Sequence, residues 1–310
     1  MNTQSNAMPN SPVAPQGIVT PPMSVPRPFY WSVCREFWEN RSLYLAPLGV
    51  AAVFLCGFLI SLVRLPEKMR AALLLGPTQQ HELIERPYDF AALLIMGATF
   101  IVAIIYCLDA LYGERRDRSI LFWKSLPVSD LTTVLAKASI PIVVLPLLTF
   151  AVTVVTQCIM LLLSAAVLLG SRQSVAALWT ELSLWHMSRM LLYHLVALHG
   201  LWYAPIFGWL LLVSAWARRV PFLWAALPLL VIGFVEKIAF NTSYVPAQLA
   251  SRISGGPEAA ASPAGSMSMD ALSRPTPGQF LSSPGLWMGL VFTAIFLAAA
   301  VRLRRNREPI

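Results

Sequence analysis

The sequence predicts an all-α polytopic membrane protein with six transmembrane helices and both termini cytoplasmic, preceded by an interfacial amphipathic helix. Composition is the first reason: of 310 residues 57% are hydrophobic and 12% charged, and mean hydropathy is +0.64, too apolar for a soluble domain. The second is a series of long uncharged runs, and the third is the distribution of the basic residues that make up a formal charge of +8. Cys34, Cys56, Cys107 and Cys158 are widely separated, with no disulfide framework and no zinc spacing.

Residues 1–28 are rich in Pro, Ser and Asn and hold no continuous apolar stretch, so they are expected to be a disordered tail rather than a signal peptide. The membrane domain is expected to occupy 29–310. From Tyr30 the spacing turns helical: Tyr30, Val33, Cys34, Phe37 and Trp38 share one face, while Ser32, Arg35, Glu36, Glu39 and Asn40 take the other. This is the pattern of a helix lying on a membrane surface.

Spans are expected at about 43–63, 90–112, 138–170, 190–217, 220–240 and 286–301, because a hydrocarbon core of about 30 Å takes about 20 helical residues. Residues 138–170 carry no formal charge and would make a helix roughly 50 Å long. That length implies one tilted crossing that projects beyond the lipid, kinked at Pro141 or Pro146. Pro205 interrupts the fourth span, and Pro228 lies inside the fifth. The segment 241–284 is rich in Gly, Pro, Ser and Ala and reads as an outer loop.

With six spans, the tail, the segment 109–137 with its loop 113–137, the short link at Arg218 and Arg219 and the C-terminus share one side. That side collects 14 of the 23 lysines and arginines against seven acidic residues, a net +7; the other side nets +1. The positive-inside rule makes it cytoplasmic.

Chemistry-bearing motifs are scarce. The sequence has no GxxxxGK[ST] phosphate loop, no HExxH zinc motif and no GxSxG nucleophile elbow. His186, His194 and His199 lack i, i+4 spacing and read as hydrogen-bonded packing residues. Glu236 and Lys237, at the outer end of the fifth span, read as snorkelling to the interface.

The exception is the charged island Asp109 to Lys137. Arg115, Arg116, Arg118, Lys124 and Lys137 surround Ile120, Leu121, Phe122 and Trp123, four consecutive apolar residues that cannot all face one surface. Pro127 stops a helix, and Ser129 or Asp130 can cap the next. Aromatic residues interleaved with arginine are typical of protein docking surfaces.

Three stretches carry a family resemblance: CREFWENRSLYLAPL from Cys34, LYGERRDRSILFWKSLPVSDLTTVLAK from Leu111, and YAPIFGWLLLVSAWARRVPFLW from Tyr203. They resemble the membrane permease subunits of type-2 ATP-binding cassette (ABC) exporters, over most of the chain from about Arg35. The resemblance implies a transport subunit rather than an enzyme, binding no cofactor itself, with ATP and Mg²⁺ held by a partner ATPase subunit. It implies a coupling helix in the loop after the second span. Carried onto this chain, the docking residues are Glu114, Arg115, Arg116, Asp117, Arg118, Ile120, Leu121, Phe122, Trp123, Lys124, Ser125, Leu126 and Pro127. The connecting helix is the one that carries Tyr30, Val33, Phe37 and Trp38.

The expected partners are an ABC ATPase, a second permease copy or a related permease, and the lipid bilayer, with no nucleic acid. The expected location is the bacterial inner (cytoplasmic) membrane. An alternative from another class is a membrane-embedded enzyme or scaffold whose loop binds a non-ATPase partner, which requires converging polar residues at mid-bilayer depth. Gln157, His194 and His199 are the residues available for that.

Overall fold

The computed structural model describes residues 26–72, 74, 76–120, 122, 128–172, 175, 179, 182–253 and 277–306. Among them the chain is all-helical. The helices are α1 (Pro26–Glu39), α2 (Ser42–Leu62), α3 (Leu65–Ala72), α4 (Pro77–Asp109), α5 (Tyr112–Arg116), α6 (Asp130–Ser139), α7 (Leu145–Gly170), α8 (Leu184–His194), α9 (Ala204–Trp216), α10 (Pro221–Phe240), α11 (Tyr244–Ile253), α12 (Pro277–Ser282) and α13 (Pro284–Asn306). Two π-helical segments, Ile140–Val144 and Leu195–Trp202, join α6 to α7 and continue α8.

Five of these helical stretches are long and apolar enough to cross a membrane: Ser42–Leu62, Gln79–Arg116, Asp130–Gly170, Pro221–Phe240 and Pro284–Asn306. A sixth crossing forms if Leu184–Trp202 and Ala204–Trp216, bent by 44° at Tyr203, count as one broken span. The chain is an integral membrane protein. Val53, Ile60, Leu162, Leu230 and Ile238 point outward, as lipid-facing side chains do.

The helix boundaries differ from the sequence expectation in three places, each with a local cause. The second span's helix, α4, starts at Pro77, well before Phe90, because Pro87 lies inside it without ending it. A proline within a helix is tolerated where neighbouring helices satisfy the freed carbonyl. The third crossing runs unbroken from Asp130 to Gly170, and Pro141 is absorbed by a π-helical turn. The outer segment 241–284 is not wholly loop: α11 forms there because the Glu236 carboxylate caps it, accepting from the N–H groups of Tyr244 and Val245 and from the Thr242 hydroxyl. Glu236 therefore has a structural partner rather than a snorkelling role.

Between the spans the largest core gathers Leu43, Tyr106, Cys107, Leu145, Trp202, Phe207 and Leu286. α9 and α13 make the most extensive helix pair. Gly208 permits their approach: a Cβ there would lie 3.4 Å from Thr293 Cα, so a small residue sits where the helices meet.

Candidate functional site

Ser129 begins the third crossing as its N-cap, with its hydroxyl accepting from the Thr132 N–H at 3.1 Å, an interaction worth about 1 kcal/mol. α6 then places Lys137 two turns further on, among Val134, Ala136 and Ala138, with its side chain buried. Its ammonium lies 2.8 Å from Glu36 Oε1 and 3.1 Å from Glu114 Oε1. Glu114 also binds Arg304 near the end of α13, and Arg304 Nε donates to Asp130 at 3.0 Å. Arg35 reaches Glu36 at 2.6 Å and Glu114 at 3.7 Å.

The result is a buried ionic hub of three carboxylates and three cations. It ties α1, α5, α6 and α13 together at one end of the bundle. Buried charges persist only when paired and hydrogen-bonded, and these nearly balance. The Tyr106 hydroxyl adds a bond to Glu36 Oε2 at 3.0 Å.

Beside the hub, Arg115 turns its guanidinium into the bundle and donates to the carbonyls of Ala215 and Ala217, where α9 ends. Those carbonyls have no partner within their own helix. Ser214 works in the opposite direction: its hydroxyl accepts from the N–H groups of Leu111 and Tyr112 at 3.0 and 2.9 Å. The turn after α4 and the end of α9 are thus stitched to each other from both sides.

These contacts sort the charged island into an inner and an outer set. Glu114, Arg115 and Ile120 are buried and engaged within the chain. Arg116, Asp117, Arg118 and Phe122 are exposed, with Arg116 Nε 3.0 Å from Asp117 Oδ1 and Arg118 at a left-handed φ of 56°. The expectation of two faces thus has a structural counterpart in buried Ile120 and in Phe122, which is 60% exposed. Leu121, Trp123, Lys124, Ser125, Leu126 and Pro127 lie outside the described residues.

On α1, Val33 and Phe37 pack against the main core, and Tyr30 and Trp38 project outward. Glu36 departs from the sequence expectation. It was placed on the water-facing side of an amphipathic helix, yet it is buried because Lys137, 101 residues away, supplies its counter-charge. Periodicity cannot register a partner at that separation. The signals that existed were a lysine inside the apolar run of α6 and an arginine four residues past Ala300.

Burial alone would raise the Glu36 carboxyl, but Lys137 and Arg35 together hold it below its ordinary value of 4.5. Its contribution to stability is therefore complete above pH 4.5 and is lost as pH falls through the lowered folded-state value. Thermal unfolding of the detergent-solubilised protein is expected to show an acid-labile component below pH 4.5 that a Glu36→Gln variant lacks.

Gln157, His194 and His199 are all buried. The amide of Gln157 donates to the Tyr88 carbonyl at 3.4 Å. The rings of His194 and His199 lie 6.3 Å apart, and His199 stands edge-on to Phe100 and Tyr203. His199 meets the Met96 backbone in a poorly formed hydrogen bond. Among the described residues no cluster of three His, Cys, Asp or Glu side chains could hold a metal ion.

An open apolar groove of about 920 Å³ runs between α2 and α4, lined by Val53, Phe54, Phe58, Phe90 and Leu94, with Lys68 also on its wall.

The chain matches no protein-family model, no curated protein and no solved structure.

Proposed function

We propose that this chain is the membrane-spanning permease subunit of an ABC exporter, forming the translocation path and receiving force from a separate ATPase subunit. One observation carries the reading: the exposed side chains of Arg116, Asp117, Arg118 and Phe122 stand beside a buried ionic hub at one end of a bundle of membrane-length helices. Exposed arginine and aromatic side chains are what protein docking surfaces favour. Anchoring that segment to four helices at once would let a push on the loop reach α1, α6 and α13 together.

In this reading the hub end faces the cytoplasm of a bacterial inner membrane. ATP and Mg²⁺ are bound by the partner ATPase, and two permease copies, or this chain and a related one, pair about a twofold axis. Docking falls to Arg116, Asp117, Arg118 and Phe122 and to the adjoining 123–127. Glu114, Arg115 and Ile120 hold the platform beneath them.

The test is purification from mild detergent with the ATPase encoded alongside, followed by transport in vesicles. The wild type is expected to carry the ATPase with it, and a Phe122→Asp, Trp123→Asp variant to lose transport by ~10-fold or more, as removal of a central hot spot does. Failure of any ATPase to co-purify, combined with full transport by the double variant, sinks the reading.

A further inference from the structure

At the end of the bundle opposite the hub, α11 folds back so that Arg252 lies where the fourth span breaks. Its guanidinium carbon stands 4.2 Å from the centre of the Trp202 ring. Nη1 donates to the Trp202 carbonyl at 3.0 Å, Nη2 donates to the Gly285 carbonyl, and the Trp202 indole N–H returns a bond to the Arg252 carbonyl at 3.1 Å. Gly289 makes room for this arrangement: a Cβ there would fall 2.7 Å from Arg252 Nη2 and 2.9 Å from Pro205 Cγ.

The charge of Arg252 is what the clasp leaves unanswered. Among the described residues no carboxylate pairs with it. Among the described residues the acid nearest to it in sequence, Glu236, is committed to the N-terminus of α11, eight residues before Arg252. Two of the five N–H donors of the guanidinium are used on carbonyls, which leaves three. It also lies beside the first turns of α9 and α13, whose positive dipole ends repel a cation and attract an anion. Partial burial lowers the Arg252 pKa below its ordinary value.

The depth of this cation indicates what would answer it. α13 runs from Gly285 at the clasp to Arg304 at the hub, a rise of about 29 Å at 1.5 Å per residue. That is about the thickness of the hydrocarbon core, so a hub at one edge of the membrane puts Arg252 at the opposite edge, beside the lipid headgroups. Trp287, 58% exposed one turn from the site, is the kind of residue that lines this boundary.

We propose that Arg252, stacked on Trp202 and flanked by the first turns of α9 and α13, binds a phosphate anion at this end of the bundle, the phosphate of an anionic phospholipid headgroup. Arginine presents a planar fork suited to phosphate, and a bound phosphate would neutralise both the guanidinium and the two helix ends.

The full-length protein, stripped of lipid in a nonionic detergent, is titrated with dioctanoyl phosphatidylglycerol, with the neutral dioctanoyl phosphatidylcholine and with inorganic phosphate, reading the rise in unfolding temperature. Phosphatidylglycerol is expected to stabilise the wild type, with the titration midpoint weakened at least ~10-fold in Arg252→Gln, the loss of a charge-assisted contact. Arg252→Lys, which keeps the charge and loses the fork, is expected to fall between the two. A response to inorganic phosphate at matching concentration, also lost in Arg252→Gln, would support the anion site and assign it to soluble phosphates. Equal midpoints for wild type and Arg252→Gln would overturn the proposal. Should Arg252→Gln fail to fold, a wild type that binds phosphatidylcholine as tightly as phosphatidylglycerol would overturn it equally.

Discussion

Lys137→Met is expected to lower stability by about 3–5 kcal/mol, the range for removing one partner of a buried ion pair. The lysine side chain is almost fully buried between Glu36 and Glu114, at 2.8 and 3.1 Å. Methionine fills a similar volume, so the effect reports charge rather than packing. Glu114 keeps Arg304, whereas Glu36 is left with the partly exposed Arg35 and the Tyr106 hydroxyl. The damage should therefore concentrate on Glu36. A Glu36→Gln, Lys137→Met double variant is expected to unfold well above Lys137→Met alone, giving a coupling far from additive. Equal unfolding temperatures for Lys137→Met and wild type in detergent would show that the hub is not closed in solution.

Arg115→Met and Arg116→Met should have opposite phenotypes although the residues are adjacent. Arg115 is 3% exposed and serves two carbonyls at the end of α9, so its loss is expected to destabilise by about 2–4 kcal/mol. Arg116 lies on the surface beside Asp117, where an ion pair contributes little, and its replacement should leave the unfolding temperature close to that of the wild type. If the outer set docks an ATPase, Arg116→Met should instead weaken ATPase co-purification at unchanged unfolding temperature. Identical unfolding temperatures for the two variants would refute the division into inner and outer sets.

Much of the architecture was legible because it is local. Uncharged runs such as Leu43 to Val63 must lie in lipid whatever they pack against, and the cap at Ser129 follows from three residues of sequence. The hub was not legible, because Glu36, Glu114, Lys137 and Arg304 meet across separations of 101 and 190 residues. Helical periodicity placed Glu36 on a water-facing side, and the positive-inside count treated Arg304 as one more tail cation. The break in the fourth span was visible at Pro205, yet the bend falls at Tyr203, because proline suits the first turn of the helix that follows. Within 241–284, composition concealed α11, whose cap comes from Glu236 in the preceding helix.

The π-helical turn at Ile140–Val144 sets the phase of the third crossing. Through this region the buried positions Lys137, Pro141, Leu145 and Thr149 recur every fourth residue, a longer interval than the 3.6 of an α-helix. A strictly α-helical segment would drift out of register over the same distance. Either Lys137 would leave the hub, or Thr149 would turn away from Thr99, to which it now donates at 3.0 Å. The wider turn brings both into the interior. A single residue removed between Ile140 and Val144 would rotate the whole of α7 by about 100° against α6. The ionic end and the membrane-spanning end of this helix are two registers joined at one adjustable turn.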